Sequence, residues 1–547
     1  MVGIARRLFA EVKPYAPGFR RVFLVVVLAA EALGVSVYFD PWLLLKNNPN
    51  WSGWVIANSS AFLRIAVAFT GGLLVVLGPR LRDLSLELNR IKHRYWRVWL
   101  LAHLLSFGVF IFLSVRLLKI PDGSFHLPVV WFISWLTLSV TTFAFWLLAF
   151  APVHFWGRLI RREYIALSVA SLAAIAAWAG GLLAQKLWRP LAETTFWLAH
   201  LLLDSVYPSI ASDAKEGTLG TAAFQVHIAP ACSGYEGMAL VTVFVAVYVW
   251  LLRNELRFPQ ALLLFPLGIL AIYLANIIRL AALILLGTHI SPEVAVSGFH
   301  SQAGWIAFTV IAVGVIAGAH RMPFFKDTDT QFRVTGKTHL ATALLTPFLL
   351  MLAAAMIAAA FSADFNQFYP LQVIVTAAAI WHFRRGYSRL GWEWSWQAVA
   401  MGIAVFGVWI ILEPASDPTR NPVAAGLAEL PYWAAGIWIF FRVIGSVIAV
   451  PLAEELAFRG YLIRKLIARD FENIPLNRFT WFSFLLSSVL FGLLHDGRWI
   501  AGIITGMLFA LALYRRGQLG DAVVAHVTAN ALIAAYVLVY AKWGLWS

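Results

Sequence analysis

Apolar stretches of about twenty residues recur along the whole chain, which is the length an α-helix needs to cross a bilayer. They predict about fifteen membrane spans and an all-α polytopic membrane protein with two helical transmembrane domains. The predicted spans lie near 21–39, 60–78, 98–115, 129–151, 164–185, 235–252, 260–286, 304–319, 339–361, 370–383, 397–412, 433–458, 479–495, 499–514 and 521–541.

The composition agrees with a membrane location. Of the 547 residues, 61% are hydrophobic and 13% are charged, and the mean hydropathy is +0.78. Such values exclude a cytosolic globular enzyme, a disordered chain and a secreted disulfide scaffold. The only cysteine is Cys232, so no intrachain disulfide can form, and its sulfur serves either packing or chemistry.

Basic residues predict the topology. The formal net charge of +15 comes from bases that lie between apolar runs, so it indicates membrane orientation and lipid contact rather than a nucleic-acid partner. Every second loop is basic, and such loops stay in the cytoplasm. The segments 186–234 and 287–303 are therefore predicted on the outer side of the membrane, with a small extracytoplasmic element around 205–231. The polar stretch 321–338 predicts a cytoplasmic linker between two membrane domains, 1–320 and 339–547.

Three unusual residues in the first domain are predicted on the outer side. A helix that starts near Ser233 or Tyr235 would place Cys232 at its N-terminus, where the helix dipole favours a thiolate. His300 could act as a base, and Arg279, inside an apolar span, could stabilise an oxyanion. Asn276 could support Arg279 from the same helix face. Separately, each has a plainer interpretation: an inert cysteine, an incidental loop histidine and a snorkelling arginine.

The strings ACSGYEG, NIIR and GFHSQAGW, in this order, resemble the exosortase family of polytopic bacterial membrane proteins. The resemblance covers roughly 1–320. It implies a transpeptidase-like protease of the bacterial inner membrane, with a site that faces the periplasm. It also implies that Cys232 attacks a C-terminal sorting signal, that His300 is the general base and acid, and that Arg279 orients the carbonyl or stabilises its oxyanion. The acceptor of the resulting thioester is not defined by the sequence.

A second group of ionisable residues lies on predicted spans of the C-terminal domain, within AEELAFRGYL, FGLLH and HVTAN. Glu455 and Arg459 are four residues apart and can pair, which leaves Glu454 pointing elsewhere. His526 and Asn530 have the same spacing and can project to one point. Three interpretations follow. Glutamate and histidines could bind a metal, Glu454 with His495 could activate water while His526 and Asn530 bind the oxyanion, or the residues could form a structural polar network.

These three strings resemble the CAAX-protease and bacteriocin-processing family of intramembrane glutamate proteases, over roughly 340–545. The resemblance favours the metal-free interpretation, and no cofactor motif is found elsewhere. It also implies a cavity lined by long tilted helices, one of which would run from about 435 to 467. The residues it assigns to the site are Glu454, Glu455, Arg459, Phe491, His495, His526 and Asn530.

The whole chain resembles the exosortase E/protease type, which is associated with substrates of the VPEID-CTERM class, related to PEP-CTERM signals. The predicted function is therefore a cysteine endopeptidase or transpeptidase for sorting signals of exported proteins, fused to an intramembrane protease. Two alternatives from other classes are a polytopic transporter, since buried ionisable residues could form an ion path, and a non-catalytic immunity or structural membrane protein.

Overall fold

A computed structural model describes residues 16–38, 59–118, 129–207, 209–214, 216–228, 234–253, 255–325, 340–388, 390–413, 421–468 and 470–546. Cys232 and most of the predicted linker 321–338 lie outside these ranges. The chain divides into two compact units, Met1–Lys186 and Leu187–Ser547. This division follows packing, and both predicted sites fall in the second unit. The domain boundaries predicted from the sequence, 1–320 and 339–547, remain a prediction.

Helices dominate both units. The first unit contains α1 to α5 and the beginning of α6: Ala16–Tyr38, Ser59–Leu77, Leu81–Arg90, Trp96–Leu118, Val129–Phe150 and Val153–Asp204. The second contains α7 to α17: Tyr235–Leu251, Leu264–His289, His300–Arg321, Leu340–Ala360, Tyr369–Phe383, Trp396–Ile411, Pro422–Glu429, Tyr432–Lys465, Trp481–Leu493, Trp499–Arg516 and Leu519–Tyr540.

Every predicted span coincides with one of these helices, which confirms the all-α polytopic fold. Among the described residues, eight helices are long and apolar enough to cross a membrane, and four shorter helices are also apolar. The total of about fifteen spans therefore remains a prediction. Many large apolar side chains on these helices are exposed, such as Ile411 and Val539. Such exposure is expected for a surface whose solvent is lipid.

A polar contact joins three helices of the first unit. His103 on α4 is 1% exposed. Its Nε2 atom lies 2.8 Å from a carboxylate oxygen of Glu31 on α1, and its Nδ1 atom lies 2.9 Å from the carbonyl oxygen of Thr142 on α5. Beside it, the indole of Trp146 donates to the carbonyl of Leu24 across the same helix group. Because unsatisfied polar groups are costly in an apolar interior, these bonds fix the packing of α1, α4 and α5.

The second unit contains a small antiparallel sheet in the segment where an extracytoplasmic element is predicted. Its strands are β1 Ala211–Asp213, β2 Thr218–Gly220 and β3 Gln225–His227, in the order β1-β2-β3. Leu219 faces Val226 in the register of β2 and β3. The predicted outer loop is shorter than expected, because α6 continues to Asp204 through the apolar run that follows Pro190.

Two candidate active sites

The first site begins where the segment after Cys232 enters α7. Gly234 is the residue before the helix and has a left-handed backbone, with φ of 86°. A Cβ atom at this position would lie 2.9 Å from Nδ2 of Asn276 on α8, so glycine permits both the turn and the close approach. The predicted helix start near Tyr235 is confirmed, and Gly234 approaches α8 at Asn276, three residues before Arg279.

A cavity of about 250 Å³ lies between α7, α8 and α9. Gly234, Asn276, Arg279 and Ser301 contribute to its lining. The guanidinium of Arg279 also passes over Gly304 of α9, where a Cβ would lie 3.1 Å from Nη1. The glycine therefore leaves room for the arginine at the cavity wall. An arginine within an apolar helix is expected to face such an interior rather than lipid.

His300 is the first residue of α9 and is exposed. It follows a π-helical segment, Val294–Phe299, and irregular helical turns of this kind often occur at functional sites. The positive charge of Arg279 lies within electrostatic range of the His300 imidazole.

A polar contact lies just before the π-helical segment. The hydroxyl of Ser291 donates to a carboxylate oxygen of Glu293 at 2.6 Å, and this bond lowers the pKa of Glu293.

The structure thus brings Arg279, Asn276 and Gly234, which follows Cys232 by two residues in the sequence, to one cavity. Ser301, the neighbour of His300, lines that cavity, whereas His300 itself is not one of the lining residues. The sulfur of Cys232 lies outside the described residues, so its distance from the other two groups is an expectation from the sequence.

The second site is built on the long helix α14. Its two glutamates occupy a short α-helical stretch, Val450–Glu455, between two π-helical stretches, Gly445–Ala449 and Leu456–Leu462. A π-helical turn shifts the hydrogen-bond pattern and offers carbonyl groups to other partners. The side-chain amide of Asn530 on α17 donates to the carbonyl oxygen of Ser446 at 2.7 Å. Asn530 therefore joins α17 to α14 beside the site.

Glu455 links two of the other predicted residues. One of its carboxylate oxygens, Oε1, accepts from Arg459 at 3.2 Å and lies 2.9 Å from Nδ1 of His526. Arg459 also donates to the carbonyl of Gly506 at 2.9 Å, and its guanidinium carbon lies 4.4 Å from the ring centre of Phe491. The Glu455 and Arg459 side chains are 0% and 2% exposed. A buried charged pair needs such additional partners to be tolerated.

Glu454 points away from this pair, into a cavity of about 210 Å³. His495, His526 and Asn530 line the same cavity. Oε2 of Glu454 is buried and has no hydrogen-bond partner among the described residues, and it lies 3.8 Å from Nε2 of His526. A buried carboxylate oxygen without a protein partner can accept a hydrogen bond from a molecule bound in the cavity.

His495 has a defined tautomer. Its Nδ1 atom lies 2.9 Å from the carbonyl oxygen of Phe491, and a carbonyl can only accept, so Nδ1 carries the proton. The lone pair of the neutral ring is then on Nε2. The indole of Trp409 packs edge-on against this ring, with centroids 5.4 Å apart, and donates to the hydroxyl of Thr505 at 3.0 Å.

The residues of the second cavity that sequence reasoning did not select include Trp409, Arg442, Arg498 and Thr505. Arg442 donates to the carbonyl of Trp546, and Arg498 donates to the carbonyl of Gly544 and to Glu413. The available signal for Arg442 was its place inside a predicted span, where an ionisable residue indicates function by default. No signal of this kind marked Trp409, whose role depends on tertiary contacts.

A metal centre of three or more histidine, cysteine, aspartate or glutamate side chains is not found among the described residues. Glu455 is instead engaged by Arg459, which leaves Glu454 and two histidines around the cavity.

The fold and the two cavities define a multi-pass membrane protein with two separate groups of ionisable residues. Residues 65–317 match the family model of transmembrane exosortases, and residues 436–532 match that of type II CAAX prenyl endopeptidases of the Rce1-like kind. No curated protein and no solved structure matches the chain. The chain therefore carries an exosortase region followed by a CAAX-protease region, and this combination supports a protease-type membrane enzyme.

Proposed function

We propose that the protein has two proteolytic sites, a cysteine site formed by Cys232, Arg279 and His300 and an intramembrane glutamate site formed around Glu454. The observation that supports the first is that Arg279, Asn276 and Gly234 line one cavity, and Gly234 follows Cys232 by two residues in the sequence. The observation that supports the second is the unpartnered oxygen of Glu454 in a cavity with two histidines and an asparagine.

At the first site, the thiolate of Cys232 forms a bond to the carbonyl carbon of the scissile peptide. Arg279 donates to the oxygen on which negative charge develops. When the C–N bond breaks, His300 transfers a proton to the leaving amine, and the carbonyl carbon remains on sulfur as a thioester. An acceptor nucleophile, or water, then releases the product after His300 takes its proton. The substrates are C-terminal sorting signals of the PEP-CTERM or VPEID type, presented at the periplasmic face of the inner membrane.

Trapping tests this site directly. Because Cys232 is the only thiol, a thiol-directed probe or a substrate-derived thioester in native membranes can label the chain only there. We expect labelling of the wild type, none of Cys232→Ala, and loss of sorting-signal cleavage in Cys232→Ala. Unchanged cleavage in that variant would refute the cysteine mechanism.

At the second site, a water molecule bridges the free oxygen of Glu454 and Nε2 of His495. The carboxylate takes a proton as the water oxygen attacks the carbonyl carbon. His526 donates from Nε2 to the oxyanion, and the second amide hydrogen of Asn530 supports it. The proton on Glu454 then passes to the leaving amine as the C–N bond breaks. Glu455 and Arg459 hold His526 in position and do not touch the substrate.

A membrane-anchored reporter with a C-terminal basic tail tests this second activity in cells. We expect the freed anchor to be degraded in cells with the wild-type protein and to accumulate with Glu454→Gln, in which water cannot be activated. Glu393→Gln is the control, because Glu393 is 74% exposed and pairs with Arg516 on the surface. Identical anchor turnover in all three strains would remove the glutamate site from this pathway.

A further inference from the structure

The π-helical segment that leads into His300 is in contact with the end of a helix that lies outside the exosortase match. Gly298 in this segment is buried. A Cβ at this position would lie 2.4 Å from the carbonyl oxygen of Ala359 and 2.1 Å from that of Ser362. Such distances are not possible without movement of the backbone, so residue 298 must be glycine. The two backbones are therefore in direct contact at the C-terminal end of α10.

The chemistry of this contact follows from the geometry of helix ends. The last four carbonyl groups of a helix have no partner within it, and α10 ends at Ala360. The carbonyl oxygen of Ala359 accepts from the backbone N–H of Ser362 at 3.3 Å, just beyond the helix end. The close glycine Cα can add weak C–H···O contacts to the carbonyls of Ala359 and Ser362. An aromatic contact lies beside the backbone contact: the rings of Phe299 and Phe361 have centroids 6.5 Å apart.

The segment also packs against the helix that carries Arg279. Ala295 is 0% exposed and belongs to a buried cluster with Ile277, Leu280 and Ile284 of α8. The six-residue segment therefore contacts both α8 and the end of α10, and His300 is the next residue.

The other part of α10 is anchored in the CAAX-protease region. Leu344 is fully buried and lies against Gly460, and the ring of Phe348 packs edge-on against Phe458 with centroids 5.7 Å apart. Both partners belong to the π-helical stretch that follows Glu455. The position of the end of α10 is thus fixed by the C-terminal region.

We propose that Gly298 and Phe361 are positioning residues for the first site: the contact between the π-helical segment and the end of α10 sets the position of His300. This inference rests on the proposed role of His300 in the cysteine site. It means that part of the framework of the exosortase site is supplied by a helix beyond residue 317, where the family match ends.

The test compares variants on the two sides of the contact, with both cleavage reactions measured on each protein. We expect Phe361→Ala and Gly298→Ala to lower kcat for sorting-signal cleavage by about tenfold or more, because small displacements of a reacting group are costly. KM should change little, and the activity of the Glu454 site should stay at its wild-type value. Phe368→Ala is the matched control, since Phe368 has an exposure of 41% against 43% for Phe361.

A second readout separates positioning from folding. If His300 moves, the pH at which half-maximal kcat is reached should shift in Phe361→Ala, whereas a merely less stable protein would keep the same profile. Equal loss at both sites, or wild-type kcat and pH profile in Phe361→Ala, would overturn the inference. Residual cleavage by Cys232→Ala would instead overturn the proposed function.

The contact itself can be tested without activity. In a Cys232→Ala background, which has no thiol, the double variant Phe299→Cys with Phe361→Cys should be cross-linked by a short bis-maleimide, and neither single variant should be. Absence of the cross-link in the first pair would contradict the geometry on which the inference depends.

Discussion

Nδ1 of His526 lies 2.9 Å from Oε1 of Glu455, so the second glutamate of the EE pair faces a histidine of another helix and not the cavity. This relationship assigns different tasks to two adjacent carboxylates. Glu454 is available to a reacting molecule, whereas Glu455 holds His526 with Nε2 turned towards Glu454. Glu455 is therefore a positioning residue, which acts only through the His526 ring that it holds.

Glu455→Gln is expected to reduce both stability and activity. The substitution leaves Arg459 buried without its charged partner, and breaking a buried pair in this way costs about 3 kcal/mol or more. Loss of the oriented His526 should reduce turnover at the second site by about 100-fold. The melting temperature in detergent and the rate of anchor cleavage measure the two effects.

The control for this prediction is Glu393→Gln. This substitution breaks an exposed Glu–Arg pair and should change the unfolding free energy by less than about 1 kcal/mol. Equal effects of the two substitutions would contradict this account.

Trp409→Phe and Thr505→Val are each expected to lower kcat at the second site by about tenfold. Either change removes the hydrogen bond from the Trp409 indole to the Thr505 hydroxyl, which holds the indole against His495. The double variant should be little worse than either single one, since both remove the same bond. Steady-state kinetics of all three proteins measures the coupling. Strictly additive losses would show that Trp409 and Thr505 act independently.

The sequence predicted the helices and selected Glu454, His495, His526 and Asn530, which line one cavity in the structure. Their catalytic roles remain predictions. Each predicted apolar run lies on a helix of the structure, because the thickness of the bilayer sets the length of a membrane helix. The i,i+4 spacing predicted the pairing of Glu455 with Arg459, which is confirmed, and the common direction of His526 and Asn530, which both line the cavity. These relations are local on a helix, so they can be read from spacing alone.

Relations between distant helices were not available from the sequence. Trp409 reaches His495 from α12, and Gly298 meets the end of α10, through packing that no spacing rule describes. The π-helical stretches on both sides of Glu454 and Glu455 were equally hidden, because a π-helical turn has no distinct apolar period. The role of Cys232 and the membrane face of each site remain predictions from the sequence.

Asn530→Ala is expected to reduce activity at the second site more than Asn530→Ser. Alanine leaves the buried carbonyl of Ser446 without its partner and removes the amide from the cavity, whereas serine keeps a donor on a shorter side chain. We expect a decrease of about 100-fold for alanine, the usual cost of losing an oxyanion donor. The melting temperature should fall in the same order. Similar activity of wild type and Asn530→Ala would remove Asn530 from the oxyanion site.

Gly234→Ala should impair the first site much more than a comparable substitution elsewhere. The left-handed backbone at residue 234 costs any residue with a Cβ about 1 kcal/mol, and here the Cβ would also collide with Nδ2 of Asn276 at 2.9 Å. The backbone at residue 234 must then move away from Asn276, and we expect the neighbouring Cys232 to move with it. Gly217→Ala is the control, because Gly217 has a φ of 65° but its Cβ would meet only ordinary contacts, the nearest at 3.5 Å. The rate of Cys232 alkylation and the rate of sorting-signal cleavage should both change in Gly234→Ala and stay near wild type in Gly217→Ala. If both variants behaved alike, backbone strain alone would explain the effect, and the contact between Gly234 and Asn276 would have no part in placing the cysteine.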